Sequence, residues 1–166
     1  HGVSLIGGDT TRGPLNISVQ IMGEVPIGKA LRRDGAKAGD EIWVSGTLGE
    51  AALGLAHLQK KLPENTLSDA EKQTCIGALQ APQPRVALGL LLQDIAHSAI
   101  DISDGVLADL GHILERSNLG ANLYWEQIPH VNIINKIDVR KLQNLCLAGG
   151  DDYELCFTAP TSQHDT

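Results

Sequence analysis

The sequence is poor in several features that mark particular classes of protein. It has no apolar run long enough to span a membrane and no basic segment followed by an apolar one, so we expect no membrane partner. Aromatic residues make up only 3% of the chain, which leaves aliphatic side chains to fill the core. Basic residues are outnumbered 13 to 20 by acidic ones, giving a formal net charge of −7. A nucleic-acid groove needs a basic surface, so we expect no nucleic-acid partner.

Cysteine is scarce, and its spacing indicates neither a disulfide framework nor a zinc site. The three residues, Cys75, Cys146 and Cys156, are an odd number and contain no C-x-x-C pair. This pattern is typical of reduced, mostly buried thiols and predicts a cytoplasmic protein.

The glycine loops that usually bind nucleotides are also absent. The sequence contains no G-x-x-x-x-G-K-[ST] loop and no G-x-G-x-x-G, and it has no G-x-S-x-G motif of a serine hydrolase. The acidic charge does not exclude a nucleotide, because divalent cations can bridge carboxylates to phosphates. A nucleotide would therefore have to bind through metal bridges.

Strand-like and helix-like segments alternate along the chain, and 42% of the residues are hydrophobic, enough for a core. We expect a mixed α/β fold, with the order of strands left open. A linker is predicted over 25–40. The predicted strands cover 15–25, 41–46, 97–103, 121–128 and 153–159. The predicted helices cover 48–61, a segment starting at the Ser68–Glu71 capping box, a largely buried segment at 85–96, 104–117 and 139–147.

The stretch "AIDISDGVLADL" (99–110) places three oxygen-bearing side chains where a strand passes into a helix. Asp101 and Ser103 lie two residues apart in extended chain, so both point to one face. Oxygen ligands suit Mg²⁺ or Mn²⁺, and a helix N-terminus suits a phosphate. Ser103 or Asp104 could instead simply cap the helix. The residues alone leave both interpretations open.

Two further turns combine paired glycines with acids: "GGDTT" (7–11) and "GGDDYE" (149–154). Asp9 could bind a cation with the threonines near a phosphate, but a tight turn between strands is the simpler interpretation. Asp151 and Asp152 could likewise meet a cationic ligand or only be solvated. A basic cluster at Arg32, Arg33 and Lys37 could neutralise a phosphate, although a solvated loop is favoured by its composition.

Four stretches together closely resemble bacterial thiamine-monophosphate kinases. These are "LIGGDTTRGPL", "RRDGAKAGDEIWVSGTLGEAALGL", "AIDISDGVLADLGHIL" and "LAGGDDYELCFT". That family belongs to the superfamily of aminoimidazole ribonucleotide synthetase and selenophosphate synthetase. The resemblance implies transfer of the γ-phosphoryl group of ATP to thiamine monophosphate, with several Mg²⁺ ions and a cytoplasmic homodimer. It also implies that residues 27–166 are a C-terminal domain truncated at its end, and that 1–26 are terminal strands of an N-terminal ATP-binding domain.

The resemblance also implies roles for individual residues. Gly8, Asp9, Arg33 and Ser103 correspond to ATP contacts, Asp9, Asp101 and Asp104 to magnesium ligands, and Asp151 to a substrate contact. No catalytic residue beyond the metal ligands is implied.

The chain opens without Met and lacks the acidic metal-binding segments that the family carries upstream. We therefore expect it to be inactive by itself. The alternatives are another ATP-using enzyme of the superfamily, a non-catalytic metal-binding or dimerisation module, and a structural domain whose acids only cap helices.

Overall fold

A computed structural model describes residues 2–133 and 136–165, and the chain divides into two units, residues 1–30 and 31–166. The proposed assignment of 1–26 and 27–166 to two domains of a longer enzyme stays a prediction. The two units are treated separately below.

The first unit forms no helix or strand within residues 2–30, so the strand predicted over 15–25 is wrong for this chain. Its four alternating apolar side chains are 76–94% exposed; they are Leu15, Ile17, Val19 and Ile21. A strand is stabilised by hydrogen bonds to a neighbouring strand and by burial of one face. The pattern of alternation was present, but none of the described residues supplies the partner that would turn it into a strand.

The second unit is built on a three-stranded antiparallel sheet, which confirms the mixed α/β class. Its strands are β1 (Asp40–Val44), β2 (Ser98–Asp101) and β3 (Leu155–Pro160). The last strand of the chain lies in the middle, in the order β1-β3-β2. Ile42 pairs with Thr158 on one side of β3, and Asp101 pairs with Leu155 on the other. This pairing brings the end of β2 beside the beginning of β3.

The described residues also form five α-helices: α1 (Glu50–Leu58), α2 (Asp69–Gln80), α3 (Val86–Leu92), α4 (Val106–Ser117) and α5 (Val139–Ala148). The capping box is confirmed, with Ser68 accepting from the Glu71 N–H and the Glu71 carboxylate accepting from the Ser68 N–H. Within the described residues, no helix is both long and apolar enough to cross a membrane.

Two predictions about individual elements are wrong. Residues 121–128 form a single 3₁₀ turn (Trp125–Gln127) rather than a strand, and the Trp125 ring stacks on His130 with centroids 4.0 Å apart. Helix α3 is short and largely exposed: Leu92 is 3% exposed, but Leu90 and Leu91 are 62% and 68% exposed. Its apolar composition indicated burial, but its neighbours cover only one side of it.

The core lies between the sheet and helices α1, α4 and α5. Its centre consists of aliphatic side chains and buried thiols, among them Leu48, Leu53, Ile102, Ile113, Leu142, Cys146 and Cys156, each 0% exposed. All three cysteines are buried and free, as predicted. The end of β2 and the beginning of β3 lie side by side at one edge of the sheet. Two of the acidic turns lie at this edge, one following β2 and one preceding β3.

Candidate functional site

Two of the three acidic turns lie against each other. The ladder between β2 and β3 continues beyond the sheet: the Ile102 N–H donates to the Glu154 carbonyl at 2.7 Å, and the Tyr153 N–H to the Ile102 carbonyl at 2.8 Å. The Asp151 N–H then donates to the Ser103 carbonyl at 3.0 Å. Residues 101–105 and 149–154 therefore form one unit, called here the acidic turn pair.

Glycine makes this close approach possible at two positions. A Cβ on Gly150 would lie 2.3 Å from the Ser103 carbonyl oxygen. Gly105 has φ +106, and a Cβ there would lie 2.9 Å from the carbonyl carbon of Ala148. Any side chain at either position would push the two turns apart.

The side chains of Asp101, Ser103 and Asp104 are available to a ligand. Burial alternates along the chain, with Ile100 and Ile102 in the core, Asp101 exposed and Ser103 half-buried, so the predicted shared face is confirmed. None of these three polar side chains makes a hydrogen bond or ion pair with the described residues. Helix α4 has Gly105 at its N-cap and no side-chain cap. The interpretation that Ser103 or Asp104 caps this helix is therefore wrong.

The carboxylate that holds the first turn is Asp109, which sequence reasoning missed. It is 3% exposed, and its Oδ2 accepts from the backbone N–H groups of Ser103 at 2.9 Å and Asp104 at 3.0 Å. One signal was available: Asp109 lies three residues after Val106 and four before Ile113, on the buried face of α4. A carboxylate on a buried face needs donors to compensate its burial.

The second turn separates its two adjacent acids. Asp151 and Tyr153 both adopt positive φ, at +69 and +51. Asp152 turns inward, and its oxygens accept from the Gly49 N–H at 3.0 and 3.2 Å, at the start of α1. Burial raises the pKa of Asp152 to about 6, with Glu154 among the lesser contributors. Asp152 thus anchors the turn, while Asp151 stays half-buried beside Ser103.

Glu154 anchors the same turn from its other end. It is 8% exposed, accepts from the Ser45 hydroxyl at 2.5 Å, and forms a two-point ion pair with the guanidinium of Arg85. These contacts tie the turn to β1 and to the start of α3.

Arg33 lies near the acidic turn pair and is the unpaired member of the basic cluster. Arg32 is bound to Asp34 at 2.6 and 2.8 Å, and the Lys37 ammonium lies 2.9 Å from His97. The Arg33 side chain makes no such contact with the described residues. It lines a pocket of about 480 Å³ whose other lining residues are Leu31, Arg32, Asp34, Ala99, Ile100, Asp101 and Arg116. Three arginines thus line the same pocket as Asp101 in an otherwise acidic chain.

Gly8 and Asp9 belong to the first unit, and their participation in a site stays a prediction. Both are exposed, and the Asp9 carboxylate accepts from the Thr10 N–H at 2.8 Å. Neither Gly7 nor Gly8 has positive φ, and a Cβ at either would meet nothing within 4 Å. Nothing in residues 2–30 therefore explains these two glycines.

The oxygen donors of the acidic turn pair suit a magnesium–phosphate complex better than a closed metal site. Among the described residues, no three His, Cys, Asp or Glu side chains are grouped so as to hold a metal ion. Mg²⁺ commonly binds through one or two carboxylates, with phosphates and water completing its shell. Asp101 and Asp104 offer two such carboxylates, and neither forms an ion pair with the described residues. A larger groove, about 1040 Å³ beside β1, contains none of the predicted site residues.

Comparisons with known proteins place the chain in a family. Residues 37–160 match the family described as AIR synthase related protein, C-terminal domain. Thiamine-monophosphate kinase of Escherichia coli (strain K12) is 45% identical over 161 residues, covering 96% of this chain and 49% of that enzyme. The corresponding enzyme of Haemophilus influenzae is 43% identical over 166 residues, covering 99% of this chain and 50% of its own.

Solved structures of thiamine-monophosphate kinases are also similar to this chain. The crystal structure of thiamine-monophosphate kinase from Stenotrophomonas maltophilia K279a superposes with a TM-score of 0.75 at 46% identity, covering 83% of this chain and 45% of that one. A structure described as AaThiL complexed with AMPPCP and TMP gives a TM-score of 0.70 at 32% identity, covering 80% and 43%. The chain spans about half the length of the curated relatives it matches. Since the family match covers most of its residues, the chain belongs to the AIR synthase related proteins and contains their C-terminal domain.

Proposed function

We propose that the full-length protein transfers the γ-phosphoryl group of ATP to thiamine monophosphate, forming thiamine diphosphate. The observation that carries this proposal is the acidic turn pair, where oxygen side chains lie without partners among the described residues and one of them, Asp101, lines a pocket together with arginines. Its relatives are named thiamine-monophosphate kinases, and one solved relative holds AMPPCP and TMP.

Each residue has a role that fits its surroundings. Asp9, Asp101 and Asp104 would act as ligands of Mg²⁺, which neutralises phosphate charge when bound. Ser103, Gly8 and Arg33 would contact ATP, with the Arg33 guanidinium facing its phosphates. Asp151 would contact thiamine monophosphate.

The reaction requires alignment and charge neutralisation more than proton transfer. The phosphate that accepts the γ-phosphoryl group is already anionic at neutral pH, so a strong general base is unnecessary. Phosphoryl transfer is accelerated mainly by positioning and by electrostatic stabilisation. No residue is therefore assigned a base role.

We propose that residues 1–166 alone do not turn over. Asp101 and Asp104 are the two Mg²⁺ ligands proposed within the acidic turn pair, whereas the proposed reaction uses several Mg²⁺ ions. The active form in this proposal is a cytoplasmic homodimer of the full-length protein, without a nucleic-acid or membrane partner.

The test is to assay the full-length protein and the 166-residue chain for thiamine diphosphate, with ATP, Mg²⁺ and thiamine monophosphate supplied. We expect product from the full-length protein, none when Mg²⁺ is chelated, and none from the shorter chain. Binding of Mg·ATP without product would assign a different acceptor and move the protein to another ATP-using enzyme of the superfamily. Product from the shorter chain would contradict its proposed inactivity.

A further inference from the structure

We propose that Asp109 is a positioning residue for the nucleotide site: it fixes the backbone of Ser103 and Asp104 so that their side chains meet Mg·ATP in one orientation. This inference rests on the proposed function. It concerns a buried carboxylate that does not itself reach the ligand.

The geometry gives Asp109 this role. A single oxygen, Oδ2, accepts from two successive backbone N–H groups, those of Ser103 and Asp104. Two bonds to adjacent peptide groups fix the direction of the chain at both residues, which one bond would not do. The side chains of those residues then point away from Asp109 without bonds of their own to the described residues.

The rigidity of this arrangement comes from helix α4. Val106, Leu110 and Ile113 anchor the helix in the core, each at most 2% exposed, and Asp109 lies on the same face. The turn is thus attached through the carboxylate to a helix that is packed in the core. Outer residues of this kind orient ligand-binding groups, and their loss commonly weakens metal binding by 10-fold or more.

A role limited to helix stability does not account for these contacts. An acidic side chain in the first turn of a helix is favourable because of the helix dipole, and solvent exposure suffices for that. Asp109 is instead buried, forms no ion pair within the described part of the chain, and reaches back toward the strand. Its two partners are the residues proposed to contact the nucleotide and the metal.

The test measures Mg·ATP binding by the full-length protein without thiamine monophosphate, beside its resistance to urea. Asp109→Ala removes both bonds, while Asp109→Asn keeps one acceptor oxygen. Leu110→Ala is the matched control, because it truncates an equally buried side chain one residue further along the same helix. We expect Asp109→Ala to weaken Mg·ATP binding at least tenfold, Asp109→Asn to recover most of that loss, and Leu110→Ala to lower stability but bind within about twofold of wild type.

Several outcomes would overturn the inference. One is Mg·ATP affinity in Asp109→Ala equal to wild type; another is an equal loss of affinity in Leu110→Ala at matched stability. If Asp109→Ala does not fold, Asp109→Leu takes its place, because it removes the acceptor oxygen but fills a similar space. Wild-type affinity of Asp109→Leu for Mg·ATP then refutes the inference. Wild-type protein that binds Mg·ATP but makes no thiamine diphosphate would refute the proposed function alone, and wild-type protein that does not bind Mg·ATP would refute both.

Discussion

Replacing Gly150 with alanine tests whether the two acidic turns form one unit. The new Cβ would lie 2.3 Å from the Ser103 carbonyl oxygen, whereas ordinary contacts begin at 3.4 Å. That oxygen belongs to the backbone and cannot rotate away, so the turns must separate by about 1 Å. The separation would break the bonds that Asp151 and Tyr153 donate to Ser103 and Ile102.

The expected cost follows from those two bonds. Each contributes about 1 kcal/mol net, and the groups left unpaired add to the loss, so we expect unfolding to become easier by about 2–3 kcal/mol. Gly111→Ala is the matched control: its Cβ meets nothing within 4 Å, and it lies inside α4. Alanine there should stabilise the protein by about 0.5–1 kcal/mol because it restricts the unfolded chain.

The assay is urea unfolding followed by tryptophan fluorescence, with the two glycine variants compared in the same protein. The same substitution should thus move the midpoint in opposite directions at two positions. If Gly150→Ala were as stable as wild type while Gly111→Ala behaved as expected, the turns would not be in contact as described.

Three further predictions concern charge and burial. Arg33→Glu in the full-length protein should weaken Mg·ATP binding at least tenfold, because Arg33 lines the pocket beside Asp101. Arg140→Glu, at an exposed position in the first turn of α5, should leave the affinity within about twofold of wild type. Equal losses of affinity in a binding titration would remove Arg33 from the site. Burial raises the pKa of Asp152 from 3.8 to about 6, so the folded state binds this proton more tightly than the unfolded state does. The contribution of Asp152 to the free energy of unfolding is therefore full below pH 4 and is lost as the pH rises through 6. Asp152→Asn should remove that decline from urea midpoints measured between pH 4 and 8, and an unchanged slope would refute the assignment. Burial raises the pKa values of the three cysteine thiols to about 11–12; these are Cys75, Cys146 and Cys156. Iodoacetamide at pH 8 should therefore modify them only after the protein unfolds, and modification of the folded protein would contradict their burial.

The elements that depend on residues close in sequence could be predicted from the sequence. Ser68 and Glu71 lie three residues apart and cap each other, so α2 could be placed before its surroundings were known. Helix α4 was predicted for a similar reason, because its apolar face recurs at helical spacing. The resemblance to the kinases added roles for residues whose chemistry alone left two interpretations open.

The predictions that proved wrong concern segments whose structure depends on contacts with residues distant in sequence. A local sequence pattern does not specify those contacts. Residues 15–25 alternate as a strand should, but a strand exists only when another strand pairs with it. The apolar helix α3 was expected to be buried, but burial depends on what packs against it. The docking of the two acidic turns could not be foreseen either, because it follows from β3 lying beside β2.

The contacts of Asp109 could not be predicted for a different reason. Its side chain reaches back five and six residues to the N–H groups of Asp104 and Ser103, a spacing outside the helical periodicity used for prediction. Only its position on a buried face marked it as unusual.

The most direct test of the central claim is the affinity of the full-length protein for Mg·ATP after Asp104→Asn. Glu115→Gln, at an exposed position on α4, serves as the control for loss of one negative charge. We expect Asp104→Asn to weaken binding at least tenfold, because it removes a carboxylate proposed to hold Mg²⁺, while Glu115→Gln binds like wild type. Equal affinity in both variants would contradict the assignment of the acidic turn pair as the metal–nucleotide site.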